Sequence, residues 1–378
     1  MPICAKLTGN LFEKTMQMNA TTTIEPAHSG SGTARRRVHA QIPDDKAMLR
    51  AAAELTRDIN VARPEIYWPD MLGSALIGYG LLAAAILLDN VPLAIACGVL
   101  AVFPLYRALL FIHEITHLHR DALPGFRTAW NLLVGIPLLT PSLMYENVHN
   151  LHHSRTRYGT IEDPEYKALA LMKPWTLPLF VLVAALAPIG LLLRWGVIAP
   201  LGLVIPPLRR IAWERFSSLS INPSFRRRPP EEKERGWFLF QQIGASLWAI
   251  FLLSTPFWLG WKPLLVAIAV TSAVATFNQL RTLVAHLWEN EGEAMTVTAQ
   301  YLDSVNVHTK IGALWAPVGL RYHALHHLLP SLPYHSLPLA HQRLSAKLGP
   351  ASTYEEASHP GLVVLVMRIA RSTMGKRG

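Results

Sequence analysis

Uncharged apolar runs divide this chain into blocks. Met71–Leu88 carries no charge, and Pro92–Ile112 carries only Arg107, near one end. A helix crossing a bilayer needs about 20 mostly apolar residues, so both runs qualify. There Arg107 can snorkel to the interface or face the protein interior. Asp89-Asn90-Val91 leaves room only for a tight turn, so the two runs predict a hairpin. Trp237–Trp261 and Pro263–Leu280 predict a second hairpin, joined through Gly260-Trp261-Lys262. Ala129–Tyr145 is shorter and holds Pro137 and Pro141, which predicts an interfacial or re-entrant segment. Trp175–Leu208 is long, but Pro178, Pro188, Arg194, Pro200, Pro206 and Pro207 interrupt it, and the expectation is a bent, half-embedded element. The pattern predicts an all-α integral membrane protein with two transmembrane hairpins, about four spans, and interfacial helices.

The flanking segments are polar. Residues 1–43, mixed and rich in Thr, Ser and Gly with an Arg35-Arg36-Arg37 cluster, predict a disordered tail without an evident cleavable signal. Residues 44–57 predict a short helix, 206–236 a Pro- and Arg-rich loop, and 349–378 a basic C-terminal tail, leaving 44–348 as the membrane domain. Composition agrees: 51% of residues are hydrophobic and 16% charged, where soluble domains carry about 25% charged residues. The net charge of +10 resides in loops and tails such as Arg209, Arg210, Arg226, Arg227, Arg228 and Arg235, which suits an anionic membrane face better than nucleic acid. Two cysteines, Cys4 and Cys97, support neither a disulfide framework nor a thiolate metal site. Asn19-Ala20-Thr21 matches a glycosylation sequon, but the topology below puts it in the cytoplasm.

Candidate chemistry gathers at the ends of the apolar runs. The chain reads His113-Glu114-Ile115-Thr116-His117, then His149-Asn150-Leu151-His152-His153, then His323-Ala324-Leu325-His326-His327, with His286 alone after the fourth run. On a helix, residues three and four apart project to neighbouring positions, so each cluster is expected to act as a local chelate. Nine imidazoles exceed what one ion needs and suit two. Imidazole accommodates zinc, copper, iron and nickel, so ligand type alone leaves the metal open. For all nine to meet, every cluster must emerge on one membrane face. Trp175–Leu208 must therefore cross either not at all or twice, and no crossing is the expectation. Basic residues concentrate on the histidine side, which predicts that this face is cytoplasmic.

The order His-x-x-x-His, His-x-x-His-His, His-x-x-His-His resembles the membrane fatty acid desaturase and hydroxylase superfamily. So do the two hairpins around the boxes, the stretch His323-Ala-Leu-His-His-Leu-Leu-Pro-Ser-Leu-Pro-Tyr, and the acidic turn Glu162-Asp163-Pro164-Glu165. The resemblance spans roughly residues 65–345. It implies a non-haem di-iron centre that uses O₂ on an unactivated C–H bond of a lipid, with an acyl-lipid desaturase as the first reading and a lipid hydroxylase or carotenoid ketolase or hydroxylase as the alternative. It also implies His113, His117, His149, His152, His153, His323, His326 and His327 as ligands, with His286 as the further histidine after the fourth span. Some relatives place a water-linked asparagine four positions before that histidine. Here that position is Thr282, and Asn278 lies one turn further back. Carboxylates should orient the rings, and Glu114, Glu146, Asp163 and Asp303 are the expected ones.

Two other classes compete. His113-Glu114-x-x-His117 also fits an intramembrane zinc protease, with Glu114 as general base and Asp303 as third ligand, but the six histidines of the other two clusters are then unexplained, as is His286, and no Gly follows Asp303. A non-enzymatic metal or lipid binder is the other. His28, His39, His119, His308, His335 and His341 fall outside the chelating pattern. His359-Pro360-Gly361 matches a cytochrome b5 haem motif, but too little chain follows for that domain. The expected electron donor is therefore a separate ferredoxin or cytochrome b5-type protein docking on the basic face.

Overall fold

The structure, a computed structural model, describes residues 42–309 and 311–374; the expected tail over 1–43 lies almost wholly outside them. Among the described residues the regular structure is helical, and only isolated β-bridges join extended segments. The protein is an all-helical integral membrane protein. Helix α1 (Lys46–Thr56) begins at Asp45, whose carboxylate accepts from the backbone N–H groups of Ala47 and Met48. The first hairpin is α2 (Pro64–Leu87) and α3 (Val91–His117). Pro64 opens α2, and Asn90 caps α3 by accepting from Leu93 N–H. The two helices approach closely at Gly78, where a Cβ would lie 2.7 Å from the Leu105 side chain and 3.0 Å from its backbone nitrogen. Arg107 faces Asp70 across this hairpin, its Nε donating at 2.6 Å, so the one charge in the second run is paired within the protein.

Five helices, rather than about four, are long and apolar enough to cross a membrane. The additional one is α4 (Thr176–Val204). The expected bent element is a continuous helix, because Pro188 is absorbed within it and a π-helical stretch over Arg194–Ile198 leads directly into its last turns. Such a stretch shifts the hydrogen-bond register without ending the helix. The expected loop over 206–236 begins instead as α5 (Pro206–Phe216), which turns back against α4: Gly202 lies against the Arg209 backbone, and Arg194 donates to Phe216 O and to Ser217 Oγ. The chain then joins the histidine-bearing side, with Leu219 N–H donating to Met144 O, and Ile221 and Asn222 N–H to Pro164 O. α4 and α5 thus leave and rejoin the histidine-bearing side, with α5, at 11 residues, too short to be a span of its own.

The second hairpin is α6 (Glu232–Phe257) and α7 (Lys262–Leu283). Its turn meets the first hairpin's turn: Lys262 Nζ donates to Leu88 O at 2.8 Å. Both turns therefore lie at the end of the helices away from the histidines. The segment 126–145 is a short helix with a π-helical extension, Phe126–Trp130 and Asn131–Gly135, followed by turns. It wedges against the spans through Trp130 Nε1 to Ala108 O and leaves Leu132 and Leu133 exposed on its outer side. The cap is completed by α8 (Val297–Asp303), α9 (His323–Leu328), α10 (Leu337–Leu348) and α11 (Leu362–Met374). Within the stretch expected as a C-terminal tail, α11 is ordered and buries Leu365 and Ile369.

Candidate metal centre

The last turn of α3 supplies His113 and His117, one helical turn apart. A four-residue helix, His149–His152, continuing to His153, supplies the second cluster, and α9 the third. His286 follows the end of α7. All nine predicted histidines come together, in two groups. His113, His117, His149, His153 and His326 form one; His152, His286, His323 and His327 form the other. Within each group the ring nitrogens lie within 4.8 Å of one another. An ion with bonds about 2.1 Å long reaches nitrogens about 4 Å apart, so each group needs only a small contraction to hold one.

The clusters are not the local chelates that spacing alone suggested; each of the last two divides. His149 and His153 stay together with Nε2 atoms 3.0 Å apart, and His323 and His327 with 3.2 Å. His152 and His326, three positions from the first member, enter the opposite groups. Four residues turn a helix through about 400° and three through about 300°, so the i,i+4 pairs share a side and the i+3 residue diverges. Both groups are therefore built from several distant segments: His326 Nε2 lies 3.2 Å from His117 Nε2 and from His153 Nε2, and His323 Nε2 lies 3.1 Å from His286 Nε2.

Carboxylates fix which nitrogen faces inward. His152 Nδ1 lies 2.9 Å from Asp163 Oδ2, and His149 Nδ1 lies 2.9 Å from Glu165 Oε1. A carboxylate accepts, so each Nδ1 carries the proton and each Nε2 turns its lone pair toward the group. His286 uses a relay: its Nδ1 lies 2.9 Å from the Tyr158 hydroxyl, which donates to Asp303 Oδ2 at 2.9 Å. Lone pairs facing one another at about 3 Å repel unless a cation or proton lies between them. The second nitrogens confirm the demand for a ligand: both ring nitrogens of His113 are buried without a hydrogen-bond partner. The donor set fits two imidazole-bound metal ions.

Electrostatics favour neutral rings. Burial, aided by neighbouring rings, holds His149, His286, His323, His326 and His327 well below the ordinary histidine value. His152 goes the other way: burial is the largest single influence and opposes its charge, but the Asp163, Glu165 and Asp303 carboxylates together raise it. Burial also pushes Glu165 up to about 7 against the pull of His152.

Of the four expected ring-orienting carboxylates, Asp163 bonds a ring directly and Asp303 acts through Tyr158. Glu114 instead accepts from the Tyr67 hydroxyl and from Tyr334 N–H. Glu146 accepts from Ser142 and Trp237 and pairs with Arg127 at 3.1 Å. Both brace helices rather than rings, and Glu114 is committed to partners that a protease base would have to leave. Asp303 lies with the second group, apart from His113 and His117. Glu165 is a ring partner that sequence reasoning missed, although the acidic turn Glu162-Asp163-Pro164-Glu165 holds it. Sequence reasoning also missed Tyr158, for which no local pattern gives a signal. Nor does the sequence signal the left-handed backbone of Asn147 (φ 59°) and Trp288 (φ 60°), each two residues from a histidine of the site; Asn147 is anchored by Glu234 and Trp288 by Leu283 O. His308 stands apart from both groups, stacked on His341 with ring centroids 3.7 Å apart. Asn278 and Thr282 remain within α7, where Thr282 donates to Asn278 O.

Comparison with known proteins agrees with this architecture. Residues 89–357 match the fatty acid desaturase family. A ceramide hydroxylase of Caulobacter vibrioides (strain NA1000 / CB15N) is 45% identical over 328 residues, covering 85% of this chain and 93% of the relative. The match runs from the turn of the first hairpin to beyond the third histidine box, and so takes in every histidine of both groups: this chain belongs to the fatty acid desaturase family.

Proposed function

We propose that this protein is an O₂-dependent di-iron lipid hydroxylase acting on a ceramide-type amide lipid. The observation that carries the metal-dependent reading is the convergence of nine imidazoles into two groups with facing Nε2 atoms. The activity named for the Caulobacter relative favours hydroxylation over the acyl desaturation read first from the histidine boxes. His113, His117, His149, His153 and His326 would hold one iron, and His152, His286, His323 and His327 the other. When bound, the irons supply the oxygen chemistry needed to attack an unactivated C–H bond. In the balanced reaction one oxygen atom enters the C–H bond. The other leaves as water, with two electrons from a donor and two protons.

The protein's own residues prepare the site. Asp163, Glu165 and the Tyr158–Asp303 relay keep ring protons on Nδ1. Burial of the rings beneath Trp288, Tyr158 and Tyr145 excludes bulk water from a strong oxidant. We assign the histidine face to the cytoplasm because the two hairpin turns at the other end, Asp89-Asn90-Val91 and Gly260-Trp261-Lys262, hold a single Lys between them. A separate ferredoxin or cytochrome b5-type donor would deliver electrons at that basic face. The test is expression in a host lacking this chain, with metal analysis of the purified protein and lipid profiling. Two irons per chain and a ceramide that has gained one oxygen are expected. A lipid that has instead lost two hydrogens would restore the desaturase reading, and one zinc per chain would end both.

A further inference from the structure

The edge of the cap around α11 lacks the polar surface expected of a basic tail. Three sides of this helix carry three chemistries. Leu365 and Ile369, four positions apart, are buried against the protein. Val363 and Met367, also four apart, share a side turned away from that core and are 68% and 43% exposed. Arg368 and Arg371 take a third side, and the helix holds no Asp or Glu. Arg368 pairs with Glu289 at 3.5 Å, while among the described residues Arg371 has no ion pair. An exposed apolar side flanked by arginine suits a helix lying in the plane of a membrane surface, with its apolar side about 5–10 Å into the boundary between head groups and acyl chains.

Two observations put this edge at the bilayer. First, α11 packs on the turn Leu169–Leu171, shortly before the span α4 begins at Thr176. Trp175 is exposed between them, and tryptophan favours the head-group layer. Second, the Tyr106 hydroxyl donates to Trp315 O at 3.1 Å. Tyr106 precedes His113 by seven residues in α3, which is about 10 Å along the helix toward the bilayer interior. The segment 311–315 therefore dips below the level of the histidines, where it leaves Ile311 and Leu314 73% and 57% exposed. The two elements are neighbours. Asn306 N–H donates to Ala357 O and His359 N–H to Asn306 O, so the chain leading into α11 runs beside the chain leading into 311–315.

We infer that α11 and the segment 311–315 form a rim that seats the cap in the bilayer. Val363, Met367, Ile311 and Leu314 enter the upper acyl layer, and Arg368 and Arg371 lie among anionic lipid head groups. Burial of the exposed apolar side and attraction of the two guanidinium groups to negative lipid both favour this placement. The rim is independent of the reaction that the histidine groups support.

The test is fluorescence quenching on the purified full chain in nanodiscs. In a chain lacking Cys4 and Cys97, a small fluorophore is attached to a cysteine replacing Leu314, Val363 or Met367. The control is Glu54, exposed on α1, whose buried side packs within the cap. Phosphatidylcholine with a nitroxide at carbon 5 should quench all three rim positions more than phosphatidylcholine with the nitroxide at carbon 12, and neither should quench Glu54. At equal mole fraction, nitroxide-labelled phosphatidylserine should quench the Met367 position as though enriched about fivefold over phosphatidylcholine. Arg368→Gln with Arg371→Gln should bring that ratio close to one. Arg371→Gln alone, which leaves the Glu289 pair intact, should lower it part-way. Val363 and Met367 positions quenched no more than Glu54 would overturn the inference. So would an enrichment unchanged by both glutamines, or cross-linking of the Met367 position to a second copy of the chain in place of quenching.

Discussion

The chemistry of single residues turns on where each imidazole keeps its proton. Asp163 accepts from His152 Nδ1 and is itself fixed by N–H donation from Gly159 and Glu165 at 2.8 Å. Asp163→Asn retains the shape but can present an N–H to that nitrogen and turn the wrong edge inward. Loss of such an outer partner lowers metal affinity or activity by about 10–100-fold. Elemental analysis of Asp163→Asn should therefore show iron falling at one site first, and unchanged iron would remove Asp163 from this role. A second residue-scale prediction concerns His308 and His359. Burial first, with His341 beside one and Arg368 beside the other, lowers each to about 4, against about 6.5 in the unfolded chain. The unfolded state then binds more protons between these values, so stability is full above pH 6.5 and is lost as pH falls toward 4. Thermal unfolding of His308→Gln should lose less between pH 6.5 and 4 than the wild type does; equal slopes would refute it. Asp163 was legible in the sequence as an acid near a histidine box. Glu165 became a ring partner only because the turn through Asp163 folds it back toward His149.

Helices sort the histidines and also set how closely the spans approach. The i,i+4 spacing was readable and correct for His113/His117, His149/His153 and His323/His327. The destination of His152 and His326 was not, because it depends on which neighbouring helix receives the diverging ring. The first hairpin has little slack at Gly78, where the obstructing atoms include Leu105 backbone. Gly78→Leu should force α2 and α3 apart at a cost of about 1–3 kcal/mol, read as a lower melting temperature with reduced iron retention, since α3 carries His113 and His117. A variant that melts like wild type would mean the hairpin can shift freely. At Gly73, where nothing lies within 4 Å of an added Cβ, Gly73→Ala should be neutral or slightly stabilising. In α4 the interrupting prolines suggested a broken element, yet helical neighbours and the π-stretch absorb them. Proline content alone was a poor guide inside a bilayer.

At the scale of the whole molecule, the two hairpin turns meet at one end and all nine histidines at the other. Cysteines placed at Asn90 and Gly260, in a chain lacking Cys4 and Cys97, should label with an impermeant reagent from outside the cell. Cysteines at Ser224 and Glu291 should label only after the membrane is opened. Labelling of Ser224 and Glu291 from opposite sides would break the one-face arrangement that the metal groups require. Because the two histidine groups join segments more than 200 residues apart, a metal bound there should also stabilise the fold as a whole. Chelation of iron should lower the melting temperature and abolish lipid hydroxylation together, and re-addition of iron under reducing conditions should restore both.

The sequence by itself determined that this is a helical membrane protein and which imidazoles come together. Those properties follow from local composition and spacing: apolar run length decides what can enter a bilayer, and i,i+4 periodicity decides which rings share a helix side. Only the tertiary structure decided how nine rings divide into five and four, that α4 is a continuous apolar helix against which α5 turns back, and that Tyr158 links His286 to Asp303. Each of these depends on contacts between segments far apart in the chain. Their relative placement is set by packing and by the shared demand of buried polar groups for partners, which no window of sequence contains.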